Sequence, residues 1–155
     1  FRANRETVCI NLMDAEHYRK LERMYHQAPI NAYFQPKLHV SDRQATLTLT
    51  VRPEFFHAAG AAHGVVYFKA LDDVTFFAAQ SVEDRFFVVT VSFTIYFLRP
   101  VSSGVIRAVG RLVHESPRLL VAEGTLFDER ERLIGHGSGT FMPSKVPLSP
   151  EIGYR

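Results

Sequence analysis

Two adjacent carboxylates, Asp72 and Asp73, sit in the middle of the least polar stretch of this chain. Val65, Val66, Phe68 and Leu71 precede them; Val74, Phe76, Phe77, Ala78 and Ala79 follow. A helix that is apolar almost all round is a buried helix, and a charge taken out of water without a partner is expensive or shifts its pKa. Asp73 has an answer within its own helix, because Lys69 lies four residues earlier on the same face. Adjacent helical residues point about 100° apart, so Asp72 does not share that environment. This leaves Asp73 a structural role and makes Asp72 the candidate base. The same helix begins at Gly64, just after His63. Its first amides have no partner within the helix and carry the positive end of the macrodipole. A donor of that kind aimed at a developing oxyanion is worth roughly 3–4 kcal/mol of barrier. The bland role for Gly64 is a residue required by turn geometry. One element thus brings a polarising donor and a candidate base.

Other chemistries find little support. His57 and His63 are six residues apart on an irregular stretch, and no Cys pair or His-x-x-x-His spacing suggests a metal. His136, between Gly135 and Gly137, reads as a strand surface residue. There is no Gly-x-Ser-x-Gly elbow and no phosphate loop. The single cysteine, Cys9, rules out an intrachain disulfide and fits a reducing compartment. A net charge of +2, from 18 basic and 16 acidic residues spread along the chain, argues against nucleic acid as a partner. No run of 18 apolar residues exists, and Phe1–Glu6 has no signal-peptide h-region, so no membrane association and a cytoplasmic location are expected. Thirteen Phe and no Trp supply bulk without polar tips, which suits a deep core or an apolar ligand channel.

The elements that must hold these groups follow from periodicity. Ala15, Tyr18, Leu21, Met24 and Tyr25 recur at three- and four-residue spacing, predicting an amphipathic helix over about 14–28, capped by Asp14 and stopped by Pro29. Leu47, Leu49 and Val51 alternate with Thr46, Thr48 and Thr50, so 37–51 reads as a hairpin turning at Ser41-Asp42 and closed by Pro53. The long helix runs from about Gly64 to Ser81. From Phe86 to Leu98 a period of two places Phe87, Val89, Val91, Phe93, Ile95 and Phe97 on one face, with Thr90, Ser92 and Thr94 opposite. Three more strands, near 105–115, 118–128 and 132–142, are separated by turn signals at Ser116-Pro117 and Asp128-Glu129-Arg130. Gly135, Gly137 and Gly139 share a face of the last strand, marking close approach of another backbone or a packed helix. The tail, 143–155, reads as irregular. Short turns imply antiparallel pairing. The class is α+β: five to six antiparallel strands wrapped around one long buried helix, with an additional N-terminal helix. All of it fits a single domain with its core over about 37–142.

This architecture, with Ala62-His63-Gly64 leading into an apolar helix and Asp72 nine residues after His63, resembles the phenylacetate-type branch of the hot-dog fold acyl-CoA thioesterases. The stretch from Val91 to Pro100, ending Phe-Leu-Arg-Pro, is similar to that branch's strand after the helix. The resemblance extends from about Lys37 to Met142. It implies hydrolysis of an acyl-CoA to a carboxylic acid and coenzyme A, with Asp72 acting as general base on water or attacking directly. It further implies that Gly64 N–H meets the thioester carbonyl, that His63 shapes the site, and that Thr90 supplies a hydroxyl able to orient the water. His57 stands where the family often carries Asn, and Val65 where it usually carries a second glycine. A homodimer or homotetramer with its pocket between protomers is implied as well, and no cofactor, coenzyme A being part of the substrate. Arg99, Arg107, Arg111 and Arg118 are available for its phosphates. Phe76, Phe77, Phe86 and Phe87 are candidates for an acyl slot, though core packing serves each equally well. Two other activities fit the same residues. One is a hydratase or dehydratase pairing His57 with Asp72; the other is a non-catalytic acyl-CoA binder or sensor, suggested by Val65 and His57.

Overall fold

The computed structural model describes residues 12–155; Cys9 and the Phe1–Glu6 stretch lie outside them. The chain runs α1 (Leu12–Gln27), α2 (Pro29–Phe34), β1 (Lys37–Ser41), β2 (Gln44–Thr50), α3 (Gly64–Gln80), β3 (Phe86–Phe97), β4 (Val105–Glu115), β5 (Leu120–Phe127) and β6 (Leu133–Pro147), with short 3₁₀ turns at Pro53–Phe55 and Pro150–Ile152. The six strands form one antiparallel sheet in the order β1-β2-β4-β5-β6-β3. α3 lies between β2 and β3 in sequence, and it crosses the sheet face as the chain passes from one end of the sheet to the opposite edge.

α3 runs unbroken for 17 residues because its interior is free of Gly and Pro, and it stays on the sheet because of what it buries. Val66, Ala70, Leu71, Val74 and Ala78 are fully buried, as are Ile106, Ala108, Leu126 and Ile134 of the strands. Each large aliphatic side chain removed from water in this way stabilises the fold by roughly 1.5–3 kcal/mol. Glycines set how closely the helix approaches. Gly110 pairs with Gly124 and Gly124 with Gly137, a row across three strands. A Cβ on Gly110 would lie 2.2 Å from the Val74 carbonyl oxygen, so helix backbone rests directly on strand backbone there. Gly135 also faces the helix, through Tyr67 and Leu71. Gly137 and Gly139 instead clear space for aromatic rings, chiefly Phe93.

The two edges of the sheet are treated differently. At β1, α1 satisfies the outer backbone: Glu22 Oε1 accepts from Val40 N–H at 2.7 Å, His26 Nε2 accepts from Leu38 N–H at 3.2 Å, and Arg19 donates to the Val40 carbonyl at 2.6 Å. Among the described residues no strand pairs with the outer edge of β3, which is 12 residues long.

Several sequence expectations need correction. α1 ends at Gln27, before Pro29 as expected, but Pro29 also opens a second short helix, α2, at a first-turn position where its missing N–H has no intrahelical role. Asp14 lies inside the first turn of α1 rather than capping it. Strand β6 continues through Pro143 to Pro147, where its pairing with β3 is irregular. α3 is not covered on every side, since Val65 and Phe68 are 48% and 41% exposed. The faces of β3 also differ from a simple alternation. A bulge falls between Thr90, opposite Phe141, and Ser92, opposite Thr140. Val91 is the extra residue, and it switches the parity of the strand. Val88 and Thr90 share the helix side with Phe93, Ile95 and Phe97, whereas Val89 and Val91 are exposed on the other side.

Candidate active site

The bulge matters because it decides what meets Asp72. Thr90 Oγ1 donates to Asp72 Oδ1 at 3.1 Å across the gap between β3 and α3. With a regular strand Thr90 would face away. The start of β3 is held in place by Gln80, fully buried at the end of α3: its amide donates to the Glu83 and Phe86 carbonyls at 2.8 and 2.9 Å and its oxygen accepts from Val88 N–H at 2.8 Å. Three bonds from one side chain thus fix strand against helix two residues before Thr90.

Asp72 is partly open, on a stripe of α3 that also carries Val65, Phe68 and Phe76 at helical spacing. Its carboxyl is pushed up to about 6, chiefly by burial and then by the like charge of Asp73; the Thr90 hydroxyl and Lys69 oppose the shift. A carboxylate poised near neutral is suited to accept a proton from water. Asp73 is bound differently. Its Oδ2 accepts from Lys69 Nζ and from Tyr25 Oη, both at 2.5 Å, with Lys69 Nζ also 5.1 Å from the centre of the Tyr25 ring. The Lys69 pair follows from the four-residue spacing. Tyr25, reaching over from α1, gave no signal beyond its place on an apolar stripe. Burial raises Asp73 against the pull of both donors.

At the other end of α3, His63 is the N-cap: its backbone is extended and its Nδ1 accepts from Val65 N–H at 3.0 Å. The residue is anchored by its own N–H to the Phe55 carbonyl at 2.8 Å. The cap takes up the Val65 amide. Among the described residues no group accepts from Gly64 N–H. The Phe97 ring lies over Gly64, 3.0 Å from where a Cβ would stand.

His57 is exposed and turned into its own loop, its Nδ1 accepting from Ala59 N–H at 3.1 Å, and no hydrogen bond joins it to Asp72. Phe77 is buried against Tyr25, ring centres 5.2 Å apart, and belongs to the core. Phe76 and Phe87 are half-buried, ring centres 5.2 Å apart, and Phe76 lies one turn beyond Asp72. Phe86 is covered by the Arg85 guanidinium. Arg107 pairs with Glu131 and stacks on Phe127, and with Arg111 and His136 it lines a shallow groove on the outer face of the sheet, away from α3. Among the described residues no group of three or more His, Cys, Asp or Glu could hold a metal ion, and no helix is long and apolar enough to cross a membrane.

The thioesterase superfamily model matches residues 59–134, a span that holds Gly64, Asp72 and Thr90 but not His57. Among solved structures, the chain is similar to the Escherichia coli PaaI protein from the phenylacetic acid degradation operon, with a TM-score of 0.80 and 17% identity over 88% of this chain and 99% of that one. A conserved protein from Pseudomonas aeruginosa gives a TM-score of 0.74 and 26% identity over 79% of this chain and 98% of that one. A thioesterase from Haemophilus influenzae gives 0.70 and 17% over 77% and 85%. No curated protein matches the sequence.

Proposed function

We propose, from the match of residues 59–134 to the thioesterase superfamily model and the likeness in fold to the Escherichia coli PaaI protein, that this chain is a hot-dog thioesterase that hydrolyses an acyl-CoA thioester to a free carboxylic acid and coenzyme A. The observation that carries this is Asp72: a carboxylate raised to about 6, oriented by Thr90, on the open stripe of an otherwise buried helix. In this role Asp72 takes a proton from the attacking water, with Thr90 fixing the carboxylate. The free N–H of Gly64 meets the carbonyl oxygen as it gains charge. His63 holds the helix start, and with the Val65 amide committed to it, Gly64 is the donor that remains. Hydrolysis of this kind draws on no cofactor. The Ala62-His63-Gly64 motif and the Phe-Leu-Arg-Pro ending point to the phenylacetate-type branch.

Helix geometry places one condition on this mechanism. Gly64 and Asp72 are eight residues apart on one helix, which separates them by about 12 Å along its axis. A donor and a base acting on one carbonyl must both lie about 3 Å from the reacting atoms. Gly64 and Asp72 of the same copy cannot do so, whereas Gly64 of one copy and Asp72 of another can. A dimer is therefore the smallest working unit. The uncovered edge of β3 supports it, since Val89, Val91, Tyr96, Phe97 and Leu98 leave a long apolar edge that invites a second chain.

The test is thiol release from short, medium, aryl and hydroxylated acyl-CoAs. Turnover of at least one class is expected, with Asp72→Asn lowering it by ~10²-fold or more while circular dichroism is unchanged. Tight acyl-CoA binding without thiol release would instead indicate a sensor. Loss of enoyl-CoA absorbance without thiol release would indicate a hydratase.

A further inference from the structure

The open stripe of α3 carries a residue whose exposure the proposed chemistry leaves unexplained. Phe68 is 41% exposed on a helix whose other large apolar residues, Val65 apart, are buried or half-buried. Its ring stands edge-on to Phe93 of β3, ring centres 5.3 Å apart at 81°, and β3 is the strand with the uncovered edge.

Symmetry assigns that ring a place. The inference rests on the composite site above, in which Gly64 of one copy serves Asp72 of another. In a closed two-fold pair, whatever residue i of one copy meets, its equivalent meets in return. Gly64 opposite Asp72 therefore requires Asp72 opposite Gly64, so the two α3 helices run antiparallel. The dyad then crosses them midway, at residue 68. We propose that the two Phe68 rings meet on this dyad and, each backed by Phe93, form a shared wall that closes the inner end of both acyl slots and limits acyl length. Phe68 lies one turn, about 6 Å, from Asp72 of its own copy and one turn from Gly64, which serves the other site. One ring thus borders two sites. The thioester's two arms sort accordingly: the charged nucleotide arm stays towards solvent, and the apolar acyl arm runs inwards along the stripe until it meets this wall.

With the rings on the dyad replaced, helices packed with axes 8–10 Å apart bring facing Cα atoms to roughly 3.5–5.5 Å, within reach of a disulfide. The experiment uses the full chain with its only cysteine replaced, Cys9→Ser, and adds Phe68→Cys or Val65→Cys. Val65 is the control: it is no less exposed, but three residues off the dyad, so its two copies are about 9 Å apart along the axes. Mild oxidation is expected to link Phe68→Cys chains into dimers on a non-reducing gel and to leave Val65→Cys chains unlinked. Equal linking of both, or none at Phe68→Cys in a chain that sediments as a dimer, overturns the dyad placement. A chain that sediments as a monomer overturns the composite site and this inference with it.

The wall has its own readout in the acyl-length profile. Phe68→Ala is expected to raise the ratio of kcat/KM for decanoyl-CoA over that for butyryl-CoA at least tenfold, and Phe68→Leu, which disturbs packing less, to raise it by a smaller factor. An unchanged ratio in variants that still release thiol overturns the wall and leaves the hydrolase standing. No turnover of any acyl-CoA by the unaltered chain overturns the hydrolase itself, and the gel result then stands or falls separately.

Discussion

One step along α3 separates two kinds of carboxylate. Asp72 is raised from 3.8 to about 6 in the folded chain, first by burial and then by Asp73. The folded state therefore holds that proton more tightly than the unfolded state does. Between about pH 4 and pH 6 stability falls as pH rises, and above pH 6 the whole penalty is present. A shift of this size corresponds to about 3 kcal/mol at most, less for a side chain that still sees water. Asp72→Asn is thus expected to raise stability at pH 7.5 by about 1–2 kcal/mol, and by almost nothing at pH 4, as read from urea unfolding at both pH values. Asp73→Asn should do the reverse, because it leaves the Lys69 ammonium and the Tyr25 hydroxyl without their acceptor. Stranding a buried partner in this way costs about 3 kcal/mol. Turnover should persist, with the acidic limb of its pH profile moved below pH 6, since the like charge that raised Asp72 is gone. An Asp72→Asn chain that unfolds more readily at neutral pH would remove Asp72 from a strained, functional role. The Lys69–Asp73 pair could be read from spacing. Tyr25 could not, because its partner lies 48 residues away in sequence.

Patterning is a good guide to which elements form and a poor guide to how one lies on another. The apolar run of α3 and the alternation within each strand give six strands and one central helix, because side-chain burial follows the period of the element. The bulge at Val91 leaves no mark in composition: Thr90, Val91 and Ser92 continue an unbroken polar–apolar alternation while the backbone slips by one residue. Thr90 reaches Asp72 for that reason. The packing of α3 was legible in part. Gly135, Gly137 and Gly139 attract notice as a cluster, yet the closest approach is at Gly110, which stands alone in its strand. There a methyl group would meet the Val74 carbonyl at 2.2 Å, and backbone cannot rotate aside as a side chain does. Gly110→Ala should cost about 3 kcal/mol by overpacking. Gly60→Ala tests the other kind of glycine, a positive φ of 80° with nothing within 4 Å, and should cost about 1 kcal/mol through strain alone. Midpoints of urea unfolding rank the two; equal shifts would mean that α3 yields at Gly110 and does not set the spacing of helix and sheet.

At the scale of the whole molecule, the 12 Å between Gly64 and Asp72 is the fact that a linear motif conceals. Both residues read as one site from the sequence because they share a helix, and standing eight residues apart on one helix is what keeps them from sharing a carbonyl. The claim that each site takes its donor from one copy and its base from the other can be tested without a structure of the dimer. Gly64→Pro removes the donor N–H, with Gly64→Ala as the control that adds the same Cβ against the Phe97 ring but keeps the N–H: proline is at home in the first turn of a helix, and His63 before it already has the extended backbone that proline demands (φ −62°, ψ 147°). Alone it should lower turnover by roughly 10²–10³-fold, as Asp72→Asn alone removes the base. When the two inactive chains are co-expressed with different tags, about half of the dimers carry one of each. In such a dimer one site has both lesions and the other has neither, because Gly64 of the Asp72→Asn chain meets Asp72 of the Gly64→Pro chain. Thiol release should therefore return to about a quarter of the unaltered level in the mixture, and to about half in dimers purified through both tags. A site confined to one copy predicts no recovery at any ratio of the two chains, and that result would return Gly64 to the plain task of starting a helix.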